Sequence, residues 1–178
     1  MTAEDLIELP DEYELYEGVP RRVAVAPDVS ANAMNVAALL WIHVDEHQSG
    51  VAFGADASFR LARNPDIVYL PDAAFVRATR ITSDEDLQFP FEGTPDLAVE
   101  VRSLGASAVE LDRKMRRYLA ARTDLGWAVD PFVRTVAVYR PSCPIEVLCD
   151  TDTLDGGDVL PGLEISIGRI LRVGSQSH

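Results

Sequence analysis

Pro95-Asp96-Leu97-Ala98-Val99-Glu100-Val101-Arg102-Ser103 is the stretch on which the reading of the fold turns. Side chains alternate along an extended strand, so Leu97, Val99 and Val101 share one face while Ala98, Glu100 and Arg102 share the other. The first set is wholly apolar and belongs against a core. Glu100 and Arg102 therefore stand on one side, an acid and a cation one residue apart. Arginine stays charged but does not readily shuttle a proton.

A helix is predicted immediately downstream, over 107–122. Ser107-Ala108-Val109-Glu110 fits a capping box, the serine bonding forward and the glutamate bonding back. Leu111, Met115, Tyr118 and Leu119 form its apolar stripe, and Lys114 borders that stripe. A lysine so placed can lay its stem along a sheet and carry its ammonium toward Glu100. The plainer alternative is an i,i+4 pair between Glu110 and Lys114, contributing roughly 0.2–0.5 kcal/mol. The two are compatible.

Upstream, Pro71-Asp72 breaks an apolar run, Ile67 to Val76, that is expected to bend at the proline because proline cannot donate to a ladder. Pro-Asp recurs at Pro27-Asp28, Pro65-Asp66 and Pro95-Asp96, so the dipeptide alone carries little information. Two carboxylates on adjacent strands repel unless a cation lies between them, and a divalent metal with a nearby ammonium resolves that repulsion. Asp72, Glu100 and Lys114 are thus a candidate metal-dependent phosphodiesterase site. Ordinary turn or surface carboxylates are the competing reading.

Elsewhere a short helix is expected from Thr2, with that residue as its N-cap. A hairpin over Asp11 to Val25 should turn at Gly18-Val19-Pro20, and a helix should run from Ser30 to about His47 after a break at Pro27-Asp28. Strands are expected near Val51–Phe53, Ala57–Leu61, Gly126–Asp130, Thr135–Tyr139 and Ile145–Leu148. Residues 78–94 read as a polar connection, Asp155-Gly156-Gly157-Asp158 as a turn, and the chain from about 174 as a disordered tail. A mixed central sheet flanked by helices follows, of α/β or α+β class, as one domain over 1–178.

With 16 Lys and Arg against 29 Asp and Glu, the chain carries −13. Such a balance opposes casual binding to nucleic acid, although Arg21-Arg22 and the run Arg113, Lys114, Arg116, Arg117 are local exceptions. Cys143 and Cys149 match no metal spacing and are expected as thiols in a reducing cytoplasm. No apolar run is long enough for a bilayer, and neither a secretory leader nor a membrane anchor is expected. His43 and His47 lack the glutamate of a His-Glu-x-x-His motif and read as surface or edge residues. Trp41 and Trp127 read as packing. There is no Gly-x-Ser-x-Gly elbow, P-loop or dinucleotide glycine pattern.

Pro71-Asp72-Ala73-Ala74-Phe75-Val76 followed by Pro95 to Ser103 resembles the two central motifs of the Uma-type restriction-endonuclease family, within the PD-(D/E)XK nuclease superfamily. Tyr13-Glu14-Leu15-Tyr16-Glu17-Gly18, Lys114 to Tyr118, Trp127 to Pro131, Arg134 to Tyr139 and Leu160-Pro161-Gly162-Leu163 extend the likeness over nearly the whole chain. The resemblance implies a restriction-endonuclease-like fold, a homodimer, and Mg²⁺- or Mn²⁺-dependent cleavage of DNA. It implies Asp72 and Glu100 as metal ligands, Lys114 as a catalytic lysine moved from strand to helix, and Glu14 as an accessory acid. Arg102 takes the strand position where the superfamily places its lysine, and is a candidate phosphate contact. The alternative is a catalytically impaired module of the same fold that binds nucleic acid or protein.

Overall fold

The computed structural model describes residues 1–9, 13–23, 27–87 and 89–171; the expected tail from about 174, the outer ends of the first hairpin and the chain just before Pro27 lie outside these. After a 3₁₀ turn at Glu4–Glu8 come β1 (Tyr13–Tyr16), β2 (Val19–Arg22), α1 (Pro27–His47), β3 (Gly50–Phe53), β4 (Phe59–Ala62), β5 (Ile67–Tyr69) and β6 (Ala73–Arg77). Two further 3₁₀ turns lead to β7 (Phe91–Glu92) and β8 (Leu97–Val101), then α2 (Ala108–Ala120). The chain continues through β9 (Leu125–Asp130), β10 (Thr135–Tyr139), β11 (Glu146–Cys149), β12 (Thr153–Asp155), β13 (Glu164–Ser166) and α3 (Ile167–Ile170).

The main sheet has the order β11-β10-β9-β8-β6-β3, antiparallel except where β8 runs parallel to β9. A second sheet has the order β2-β1-β5-β4-β7, and β12 pairs with β13 alone. Mixed sheets with few helices make this an α+β fold, as expected. Helix α1 covers one face of the main sheet, where Val36, Leu40 and Val44 meet Phe75, Leu97, Val99 and Val101. Each such fully buried aliphatic contributes about 1.5–3 kcal/mol.

The other face is also covered. Helix α2 lies over β8, β9 and β10, packing Met115 and Tyr118 against Ala98, Ala128 and Tyr139. Gly126 permits this approach: a Cβ there would fall 2.5 Å from Met115 Cε. The side of β8 that carries Glu100 is therefore interior, and Glu100 is 6% exposed.

Several local readings change in the structure. The run from Ile67 to Val76 is two strands in different sheets, and Leu70-Pro71-Asp72 is the crossing between them. Pro27 opens α1 instead of breaking the chain, as its fixed φ and missing N–H allow in a first turn. The first hairpin turns at Glu17 and Gly18, both at positive φ, so Val19 and Pro20 already belong to β2. The N-terminal turn is 3₁₀ with Ala3 at its cap position; Thr2 offers its N–H to Asp5 Oδ2 instead of capping. No described helix is long and apolar enough to cross a membrane.

Candidate active site

The site begins with the capping box that was legible in the sequence. Ser107 accepts from the Glu110 N–H, and the Glu110 carboxylate accepts from the Ser107 N–H at 2.9 Å. Glu110 is thereby occupied with the cap and makes no pair with Lys114. Fixed in rotation by the cap and by Met115, α2 sends Lys114 inward across the sheet.

Lys114 Nζ donates to Glu100 Oε2 at 2.8 Å and to Glu14 Oε1 at 2.6 Å. Glu14 comes from β1 in the second sheet. It also accepts from the Leu70 N–H at 2.9 Å and from the Tyr16 hydroxyl at 2.9 Å. Tyr118, one helical turn beyond Lys114, donates its hydroxyl to Glu100 Oε1 at 2.8 Å. Both oxygens of Glu100 are thus engaged from α2.

Asp72 stands just ahead of β6 and accepts the Val101 N–H at 2.6 Å through Oδ2. Its Oδ1 has no hydrogen-bond donor among the described residues. Glu14, Asp72, Glu100 and Lys114 all line one pocket of about 320 Å³, between the β1–β2 hairpin and α2. The structure thus brings Glu14, Asp72, Glu100 and Lys114 together.

Burial pushes Glu100 up to about 8; Lys114 pulls it back, while Asp72 and Glu14 add to the push. Burial likewise raises Asp72, against the pull of the Val101 N–H and Lys114. Burial alone would lower Lys114, but the Glu100 and Glu14 carboxylates outweigh it and hold the ammonium well above its ordinary value. The lysine is a permanent cation here.

The donor set suits a small hard cation. Among the described residues no three His, Cys, Asp or Glu side chains form a metal cage. Two carboxylates, one with an open oxygen and both raised chiefly by burial, match an ion that binds few protein oxygens and keeps its waters.

Arg102 falls just past the end of β8. It borders the pocket, but its guanidinium lies 3.1 Å from Asp130 and over the Phe132 ring at 4.7 Å. Its charge is spent on the β9 end. His43 is buried, not at the surface, and stacks on His47 at 4.1 Å; Trp127 is core, whereas Trp41 is exposed. Cys143 and Cys149 are free and exposed. The sequence reading missed the hydrogen bonds of Tyr16 and Tyr118 to the two glutamates. Their spacing from Glu14 on an alternating strand, and from Lys114 on a helix, is the signal that points to them.

A model of the Uma2 family, described as "Putative restriction endonuclease", matches residues 3–168. Among solved structures, a protein from Anabaena variabilis ATCC 29413 described as a "putative nuclease belonging to DUF820" superposes with a TM-score of 0.82. The two are 22% identical over 97% of this chain and 98% of that one, a likeness that speaks for the fold. No curated protein matches.

Proposed function

Because the chain belongs to the Uma2 restriction-endonuclease family, we propose that it hydrolyses phosphodiester bonds in DNA with the help of Mg²⁺ or Mn²⁺. The observation that carries this reading is Lys114, held by Glu14 and Glu100 in the pocket that Asp72 also lines. Asp72 and Glu100 would hold the metal. Bound there, a divalent ion supplies an acidified water and offsets the charge that develops on the phosphate.

The remaining work falls to the chain itself. An ammonium has three donors. Glu14 and Glu100 take two, which leaves one for the attacking water or a phosphate oxygen. Since Lys114 stays protonated, its part is to orient and to stabilise negative charge, not to act as the base. Glu14 keeps the lysine from collapsing onto Glu100 alone, and the Tyr118 hydroxyl fixes the carboxylate plane.

Nicking of supercoiled plasmid tests the reading. Activity is expected with Mg²⁺ or Mn²⁺ and not in chelator. Asp72→Ala and Glu100→Ala should fall to background, and Lys114→Met by on the order of a hundredfold. Unchanged cleavage by the Asp72 and Glu100 variants would sink the proposal. One observation favours the non-catalytic alternative: Glu14 and Glu100 already hold an internal cation, and Glu100 has no idle oxygen. Calorimetric titration with Mn²⁺ separates the two, because the binding module gives no heat that depends on Asp72.

A further inference from the structure

The pocket reverses the electrostatics of the molecule around it. Arg21, Arg22, Arg102, Arg113, Lys114 and Arg117 line it, against four carboxylates, so its walls carry a net +2 in a chain of −13. Three of these cations are already committed: Lys114 to the two glutamates, Arg102 to Asp130, and Arg117 to the Tyr69 hydroxyl and Glu17.

Arg21 and Arg113 are different. Both are exposed and line the pocket, Arg21 from β2 and Arg113 from α2. Neither has a carboxylate at ion-pair distance among the described residues. Arg21 lies over the Tyr16 ring at 4.4 Å, and Tyr16 is itself pinned through its hydroxyl to Glu14. The guanidinium therefore rests on a fixed platform, which lowers the entropy lost on binding an anion. Both arginines act on the Glu110 carboxyl, which is lowered first by its bonds to Ser107 and then by Arg113 and Arg21. Both are thus within electrostatic reach of the first turn of α2.

We propose that Arg21 and Arg113 form a two-armed phosphate clamp at the rim of the pocket, gripping the backbone of duplex DNA on either side of the phosphate presented to Asp72 and Glu100. The nature of the ligand rests on the nuclease reading above. A planar fork of donors suits phosphate oxygens, and β2 and α2 each supply one fork to the pocket rim. The clamp concentrates attraction at one place, which lets a chain of −13 engage a polyanion in a single orientation.

The test is binding of a fluorescent duplex of about 20 base pairs to the full chain in chelator, by anisotropy across a series of salt concentrations. Arg21→Gln with Arg113→Gln should weaken binding by at least about tenfold at low salt. It should also flatten the slope of log K against log salt by about 1.8, since each phosphate contact contributes about 0.9. Arg21→Lys with Arg113→Lys should restore most of the slope, and Arg116→Gln, whose arginine pairs with Asp112 away from the pocket, should change neither. A double variant that keeps the parent's affinity and slope overturns the clamp, as does a parent that does not bind duplex at all. Cleavage that persists with unaltered binding in the double variant removes the clamp and leaves the nuclease standing. Clamp-dependent binding with no cleavage in any divalent metal does the reverse.

Discussion

At the scale of single residues, Glu100 is the group whose protonation reports on the site. Its carboxyl is raised from an ordinary 4.5 to about 8, so the folded chain holds a proton that the unfolded chain releases. The resulting stabilisation is present in full below about 4.5 and is lost as pH climbs through about 8. Asp72, raised as well, adds in the same direction. Lys114 is held above its ordinary value, so its contribution stays constant across this window. Glu100→Gln cannot titrate, yet its amide oxygen still accepts from Tyr118. Wild type should therefore lose ground to Glu100→Gln between about pH 5 and about pH 9. Urea unfolding at the two pH values measures it, and a pH-independent gap between the proteins contradicts it.

At the scale of elements, the site depends on how closely strands and helices approach. Gly50 begins β3, and a Cβ there would lie 2.1 Å from the Val76 carbonyl oxygen and 2.8 Å from Phe75. Backbone cannot yield as a side-chain tip can. Gly50→Ala should cost about 3 kcal/mol in chemical denaturation, by prying the edge strand from β6; a loss below about 0.5 kcal/mol would show that this edge adapts freely. The elements themselves were mostly legible. The strand at Leu97–Val101 and the capped α2 followed from alternation and a capping box. The pairing of Glu100 with Lys114 followed from the stripe on that helix. The division of Ile67 to Val76 between two sheets did not, because a bent strand and a crossing share one local pattern around a proline. The small β12–β13 ribbon was hidden in a turn-rich segment whose strands are three residues each. Glu14 could be joined to the others only through a resemblance, since no local rule brings β1 beside β5 and α2.

At the scale of the whole molecule, the four site residues are drawn from separate parts of the fold. Glu14 lies on the second sheet, Asp72 on the crossing between sheets, Glu100 at the centre of the main sheet and Lys114 on the helix above it. The constellation exists only in the assembled protein, so a divalent ion that binds it must raise resistance to unfolding. At a hundred times its dissociation constant Mn²⁺ should add about 2.7 kcal/mol. A rise in Tm with Mn²⁺ that vanishes in Asp72→Asn is the expected result, and an equal rise in that variant would place the ion elsewhere. The delivery of Lys114 from a helix also has a consequence for position 102. A lysine housed two residues after Glu100, at the end of β8, would tie two roles to one short segment, so that neither could vary alone. Here position 102 is released from that bond, and its arginine has taken up masonry at the end of β9. A substitution at position 102 therefore leaves the contacts of Lys114 with Glu14 and Glu100 in place.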